Sequence, residues 1–241
     1  MYNALKSIFL KIAPAGFIRK AEPYARKLLI PFYKGGRYYC NVCHTGLRKF
    51  VNIPHDLLCP VCGSRSRSRQ LYEYLQKENL LKGIVLHFSP PRALMNRFSK
   101  EVQGTYLTTD YSNEFAADLQ LDITEIDLTD NSVDLVICYH VLEHIEEDLK
   151  AMAELHRILK PDGICLIQTP FKNGETYENL NITRPEDRLK HFGQEDHVRI
   201  YSLQNLQERL KSQLCERKVV AIKVDSDVNK GIDENWMIRV G

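Results

Sequence analysis

The 241-residue sequence has no apolar run near the ~20 residues needed to span a bilayer. It shows no leader-peptide cleavage pattern, its start being broken by Pro14 and Gly16, and the expected location is cytoplasmic. Internal repeats and low-complexity tracts are missing, which argues against a solenoid or a disordered chain. Net charge is only +2, so the molecule as a whole has no strong pull on nucleic acid. Tryptophan is nearly absent; the single Trp236 lies in the last apolar segment and is expected in the core. The turn inside "IVLHFSPPRALM" has no glycine, although it stands where a nucleotide-binding α/β domain usually has several.

What is present is an ordinary globular composition, 44% hydrophobic and 27% charged. The length suits one medium domain plus a small module. Charge is uneven: residues 1–37 carry eight Lys or Arg against Glu22 alone. This basic helical segment either rests on an acidic membrane through residues 1–35, or on nucleic acid, or docks Ile8, Phe9, Leu10 and Ile12 on the protein itself.

Seven cysteines are unevenly spread. Four form two Cys-x2-Cys pairs, Cys40/Cys43 and Cys59/Cys62, separated by fifteen residues. Each pair makes a tight turn whose two thiolates converge, and two pairs complete a closed tetrahedron, the preference of structural zinc. Rubredoxin-like iron is the competitor. With no open position, such an ion folds residues 38–67 as a zinc ribbon and does no chemistry. Gly63 eases the second turn; His44 and His55 lie nearby and are not needed. Arg65, Arg67 and Arg69 follow in alternation and either meet phosphates or make ion pairs at the start of a helix over 68–80. Cys138, Cys165 and Cys215 read as buried small apolar residues.

From residue 83 strands and helices alternate. Strands are predicted at 83–88, 104–110, 117–124, 132–139, 163–171, 218–224 and 235–241, with helices at 91–100, 146–160 and 202–214. The pattern implies an α/β domain over 68–241 with a Rossmann-like, seven-stranded, mostly parallel sheet. Such sheets bind ligands beyond the carboxyl ends of their strands. Asp110 and Tyr111 end the second strand, where a carboxylate can accept both hydroxyls of a ribose. Asp122 and Ile123 end the third, placed for an adenine amine and ring face.

The stretches "CPVCGSRSRSRQL", "VLHFSP", "LTTDY", "LDIT", "VDLVICYHVLEHI", "ELHRILKPDGICLIQTP" and "FGQEDHVRIYS" give the chain its likeness. It resembles a class I S-adenosylmethionine-dependent methyltransferase of the type 11-like kind, in the branch with a zinc ribbon in front. The resemblance implies S-adenosylmethionine as cofactor, Asp110 at its ribose and Asp122 near its adenine. His87, Phe88, Ser89 and Pro90 would border the methionyl end, and Tyr139 would face the methyl group. His87 stands where many such enzymes have an acid. The cofactor has no pyrophosphate, so a glycine-poor turn is less damaging than in a dinucleotide site.

Methyl transfer from a sulfonium releases a neutral thioether, so the acceptor needs at most one base. In "RLKHFGQEDHVRIYS" Asp196 and His197 are candidates for it, unless the loop is merely tied down by its own hydrogen bonds. Arg199 either binds an anionic acceptor or pairs with Glu195. His140 and His144, four apart, share a face if helical; a metal there lacks an evident third ligand, and substrate contact or packing is the other reading, with Glu143 capping the same region. The acceptor is expected to be a small molecule or saccharide. The alternatives are RNA gripped by the ribbon, or a noncatalytic binding protein on a degenerate fold. An Asn-Pro-Pro-Tyr after the fourth strand, the mark of base amino-methylation, is absent.

Overall fold

A computed structural model of the chain describes residues 24, 26–28, 30–54, 56–111, 117–214 and 217–241. Most of the basic N-terminal segment, with its expected membrane contact, lies outside the described residues, as do His55 and Cys215. The backbone divides into two compact units. One comprises residues up to 78 with 91–97 and 225–234; the other comprises 79–90, 98–224 and 235–241. No described helix is long and apolar enough to cross a membrane.

The first unit contains two hairpins, a helix after them and helical backbone at 24, 26–28 and 30–33 before them. Strand β1 (Lys34–Cys40) pairs antiparallel with β2 (Thr45–Leu47), and β3 (Val51–Ile53) with β4 (Asp56–Leu58). Helix α1 (Ser66–Lys77) follows. One apolar cluster here is Tyr33, Val51 and Leu58 with Ile53 against it, and Leu47, Phe50, Leu71 and Leu75 are buried as well. Arg69 of α1 is fully buried and serves as a staple. It donates to the carbonyls of Ser64 (2.6 Å), Leu57 (2.8 Å) and Gly231, with its guanidinium 4.4 Å above the Phe50 ring. Neither sequence alternative for Arg69 holds, because its hydrogens go to backbone carbonyls and not to phosphate or carboxylate.

The second unit holds the sheet. In chain order it runs through β5 (Lys82–Phe88), the later part of α2 (Arg92–Glu101), β6 (Gln103–Thr109), β7 (Val133–Tyr139), α3 (Asp148–Ile158) and β8 (Leu159–Gln168). Then come β9 (Phe171–Lys172), β10 (Tyr177–Glu178), α4 (Pro185–Phe192), β11 (Arg199–Ser202), α5 (Leu203–Gln213), β12 (Val219–Val224) and β13 (Asn235–Val240). The central sheet has order β12-β13-β8-β7-β5-β6. Strands β6, β5, β7 and β8 are parallel, while β13 runs antiparallel to both of its neighbours. Near-continuous apolar runs such as "VDLVICY" suit strands covered on both faces. Leu86, Val136, Cys138, Cys165, Ile167 and Ile238 pack on one face against Met152 and Leu155 of α3 and Leu206 and Leu210 of α5.

The sheet has six strands where seven were expected. Residues 117–124 make only isolated bridges, Thr109 to Leu119 and Asp122 to Glu125. Side chains supply acceptors that a ladder would otherwise provide. Asp118 Oδ2 takes the N–H and hydroxyl of Thr108 at 2.9 and 2.7 Å, and Asp122 Oδ1 takes those of Thr124 at 2.8 and 2.7 Å. Trp236 is also corrected: it is 36% exposed at the start of β13, while Met237 and Ile238 beside it are buried. The polar stretch after β8 adds a small sheet of order β10-β11-β9. Cys138 and Cys165 are buried as expected.

Candidate functional site

Each Cys-x2-Cys pair sits at the end of a hairpin, and each is followed by a residue in the left-handed region, His44 (φ 53°) and Gly63 (φ 80°). The four sulfurs lie within 4.8 Å of one another. Cys40 and Cys62 are 3.8 Å apart, as are Cys43 and Cys59. Bonds of about 2.3 Å to a central tetrahedral ion give sulfur–sulfur edges of about 3.8 Å. Around the sulfurs stand Ser64, whose N–H points to Cys62 Sγ at 3.4 Å, and Arg26, whose Nη1 donates to the Cys59 carbonyl at 3.2 Å. His44 is not idle, since its ring meets the Tyr72 hydroxyl at 3.2 Å and the Arg97 guanidinium at 2.8 Å.

The second site begins where the strand order reverses. Strand β5 pairs with β6 on one side and β7 on the other, so the chain leaves β5 in one direction and returns in the opposite one. A crevice at the carboxyl ends of β5 and β7 follows from that topology. Both loops there use a left-handed residue other than glycine: Ser89 (φ 43°) after β5 and His140 (φ 55°) after β7. The glycine-free turn is thus built by Ser89, whose N–H is held by the Thr109 carbonyl at 2.8 Å. A non-glycine residue pays about 1–2 kcal/mol for this conformation. Ser89 is exposed, so packing does not confound a substitution. Urea unfolding should show Ser89→Gly level with the parent or up to ~1 kcal/mol more stable, and Ser89→Val lower by about 1–2 kcal/mol. The reverse order would mean the turn is not left-handed.

The residues named from sequence distribute as follows. Asp110 is 5% exposed at the end of β6, its N–H bonded to the Leu119 carbonyl at 3.2 Å. Tyr111 is exposed. Phe88 is buried in the core and Pro90 is buried beside Ser89. Ile123 also lies in the core cluster, and Asp122 is exposed with its carboxylate bound to Thr124. That bond holds the Asp122 pKa below the usual range. Tyr139 gives its hydroxyl to Met237 Sδ at 3.2 Å. His87 is fully buried between Phe98 and Tyr106, and burial pushes its pKa down to about 3.

Beyond β7 the structure brings His140, Asp196 and His197 into one cluster with Glu143 and His144. A short 3-10 turn, Leu142–His144, presents the last two. His140 Nδ1 lies 3.1 Å from Glu143 Oε1, His144 Nδ1 lies 3.1 Å from Asp196 Oδ2, and the rings of His144 and His197 meet edge to face at 4.6 Å. Asp196 therefore pairs with His144 and not with its chain neighbour His197. Burial lowers the His197 pKa. Burial also works against the Glu143 charge, but the His140 hydrogen bond and the adjacent histidines prevail and hold its pKa down. Sequence reasoning gave Glu143 and His144 no leading role, because His197 stands far along the chain.

Arg199 anchors this cluster from beneath. It is fully buried and donates to the carbonyls of Leu142 (3.2 Å), Glu146 (2.9 Å) and Ile145, and to Glu178 Oε1 (2.8 Å). Both sequence readings of Arg199 fail, since its partner is Glu178 and not Glu195 or an acceptor. Asp148 joins the network, taking the Tyr201 hydroxyl and Arg209 Nη1, each at 2.6 Å.

Among the described residues of this unit, buried side-chain atoms without a partner concentrate at one end of the sheet. They are His87 Nε2, Thr109 Oγ1, His140 Nε2, Glu143 Oε2, Gln168 Oε1, Thr169 Oγ1 and His197 Nε2, with Arg217 Nε apart from them. Native interiors rarely leave such atoms unpaired, and a group of them marks a place built for a polar ligand.

Comparison with known proteins agrees. Residues 83–167 match the family described as "Methyltransferase domain". Over 49 residues the chain is 37% identical to "Probable S-adenosylmethionine-dependent methyltransferase" of Mycolicibacterium smegmatis, covering 20% of this chain and 19% of that protein. A similarly named Mycobacterium tuberculosis protein is 33% identical over 52 residues, 22% of this chain and 19% of its own. The chain thus spans about a fifth of the length of these curated relatives. The crystal structure of an S-adenosylmethionine-dependent methyltransferase from Mesorhizobium loti aligns with TM-score 0.52 at 11% identity, over 71% of this chain and 97% of that one. A Pyrococcus horikoshii protein aligns with TM-score 0.50 at 15% identity, over 73% and 89%. At these identities the structural likeness speaks for the fold. The α/β unit has the fold of these methyltransferases.

Proposed function

We propose that the chain is an S-adenosylmethionine-dependent methyltransferase acting on a small-molecule or saccharide acceptor, with a zinc ribbon in its first unit. The observation that carries the first part is the group of orphaned polar atoms at the carboxyl ends of β5 to β8. The cofactor supplies a sulfonium methyl whose departure leaves a neutral thioether. Asp110 accepts the two ribose hydroxyls, and the turn held by Asp122, Ile123 and Thr124 borders the adenine. The turn of Phe88, left-handed Ser89 and Pro90 lies along the methionyl end. Neutral His87 makes no salt link there. Much of the acceleration then comes from holding acceptor and methyl in line. His140 takes the acceptor proton on Nε2, because its Nδ1 is turned to Glu143, a carboxylate that steadies the imidazolium as it forms. His197 and Asp196 join the same cluster through His144 and line the acceptor's approach.

The ribbon reading rests on the sulfur geometry, and a four-thiolate donor set suits zinc in a closed structural role. Nothing in it favours RNA: Arg69, one of its three alternating arginines, is spent inside the unit.

Calorimetry with S-adenosylmethionine and its demethylated product tests the proposal. Both should bind the zinc-loaded chain. Asp110→Ala should weaken both roughly a hundredfold, the loss of two hydrogen bonds to a charged acceptor. A folded, zinc-loaded parent that gives no heat with either compound refutes it.

A further inference from the structure

The cluster after β7 carries more ligating atoms than its own contacts use. Glu143 is 1% exposed and turns Oε1 to His140, while Oε2 has no partner. His197 is 3% exposed and its Nε2 has none either. A buried carboxylate oxygen left unpaired is costly to keep unless something positive meets it. One ligating atom from each of Glu143, His144 and His197 lies within 4.8 Å of the others.

We propose that Glu143, His144 and His197 hold a first-row divalent cation, in a site separate from the four cysteines. Donors about 2.1 Å from a shared ion stand ~3.4 Å apart in a tetrahedral shell, so a trio within 4.8 Å of one another closes by at most about 1.4 Å on binding. Two imidazoles and a carboxylate suit Zn2+, Fe2+ or Mn2+, whereas Mg2+ and Ca2+ favour all-oxygen shells. Asp196 completes the design. Its Oδ2, 3.1 Å from His144 Nδ1, fixes that ring as a carboxylate behind a metal-bound histidine does, leaving Nε2 for the ion. Edge-to-face packing keeps the rings of His144 and His197 together, their centroids 4.6 Å apart. Three protein donors leave coordination positions open. An acceptor hydroxyl bound there would lose its proton more readily; this role rests on the methyltransferase reading, while the site itself does not.

The test uses the full chain with zinc already on its cysteines, titrated with Mn2+ and followed by loss of the free-ion paramagnetic resonance signal. Mn2+ has little appetite for thiolates and leaves the ribbon's zinc in place. About one equivalent should bind saturably. Glu143→Gln, His197→Asn and the half-exposed His144→Asn should each weaken it more than ~tenfold. Circular dichroism confirms that each variant is folded; Glu143→Gln keeps the shape and the backbone bond from Val198 N–H to the residue-143 carbonyl. No saturable binding to the parent, or equal binding by all three folded variants, overturns the proposal. Binding of S-adenosylmethionine without Mn2+ binding sinks this site alone, and the converse sinks the methyltransferase reading alone.

Discussion

On the proposed zinc ribbon, Cys59→Ser will abolish tight metal binding and cost the first unit its fold. Cys59 is fully buried, and its sulfur forms one of the two 3.8 Å edges of the thiolate tetrahedron. Three of the unit's four strands have only three residues, and the apolar side chains around them, such as Leu47, Phe50, Leu71 and Leu75, form a small core. The apparent free energy of a structural zinc in so small a module is about 10–16 kcal/mol, more than the whole stability of many domains. A serine hydroxyl is a poor substitute for a thiolate, and three sulfurs leave an open, exchangeable ion. Metal analysis after dialysis should fall from about one equivalent of zinc in the parent to near none. Hydrogen exchange over residues 34–64 should lose its protection. A variant that keeps a full equivalent of zinc and a protected 34–64 segment would show that the sulfurs converge for some other reason. Iron in place of zinc in the parent would keep the geometry and change the ion.

The thiolate site was legible because its information is local: two short spacings bring four sulfurs together whatever surrounds them. The sheet was nearly legible for a similar reason, since a run such as "VDLVICY" is apolar enough to be a covered strand on its own. Residues 117–124 misled because Asp118 and Asp122 satisfy nearby N–H groups with their side chains, a competition that hydrophobic pattern does not reveal. The turn after β5 was legible as glycine-free, but not that Ser89 itself takes the left-handed conformation.

The buried arginines were the least legible features. Arg69 and Arg199 look like surface charges in sequence, but both end on carbonyls distant along the chain. Arg199 reads as acceptor-binding because it lies beside His197. It instead fixes the backbone of 142–146, and so the positions of Glu143 and His144. The candidate site is therefore local in its parts and nonlocal in its assembly: "HVLEH" and "EDHVR" are each visible, and only the fold brings His197 onto His144.

Acid will destabilise the second unit through His87, and His87→Leu will remove that dependence. The ring is wholly buried, with Nδ1 3.0 Å from the Tyr106 hydroxyl and Nε2 without a partner. Desolvation pushes its pKa down to about 3, against about 6.5 in an unfolded chain. The native ring stays neutral while the unfolded one takes up a proton, so the sign is fixed. Stability from this residue is complete above pH ~6.5 and falls by about 1.4 kcal/mol per unit down to pH ~3, a total near 5 kcal/mol. By pH 4.5 the parent should have lost about 3 kcal/mol on this account. Leucine cannot titrate. It also strands the Tyr106 hydroxyl, so the variant should start about 1 kcal/mol lower at neutral pH, run flatter, and overtake the parent on acidification. Trp236, the sole tryptophan, belongs to the second unit and reports its unfolding in urea by fluorescence. Acid loss of zinc is common to both chains and drops out of their difference. Two curves that fall in parallel would show that His87 is charged, or solvated, in the folded protein. A neutral His87 also makes a chemical point: it offers no charge to an ammonium group.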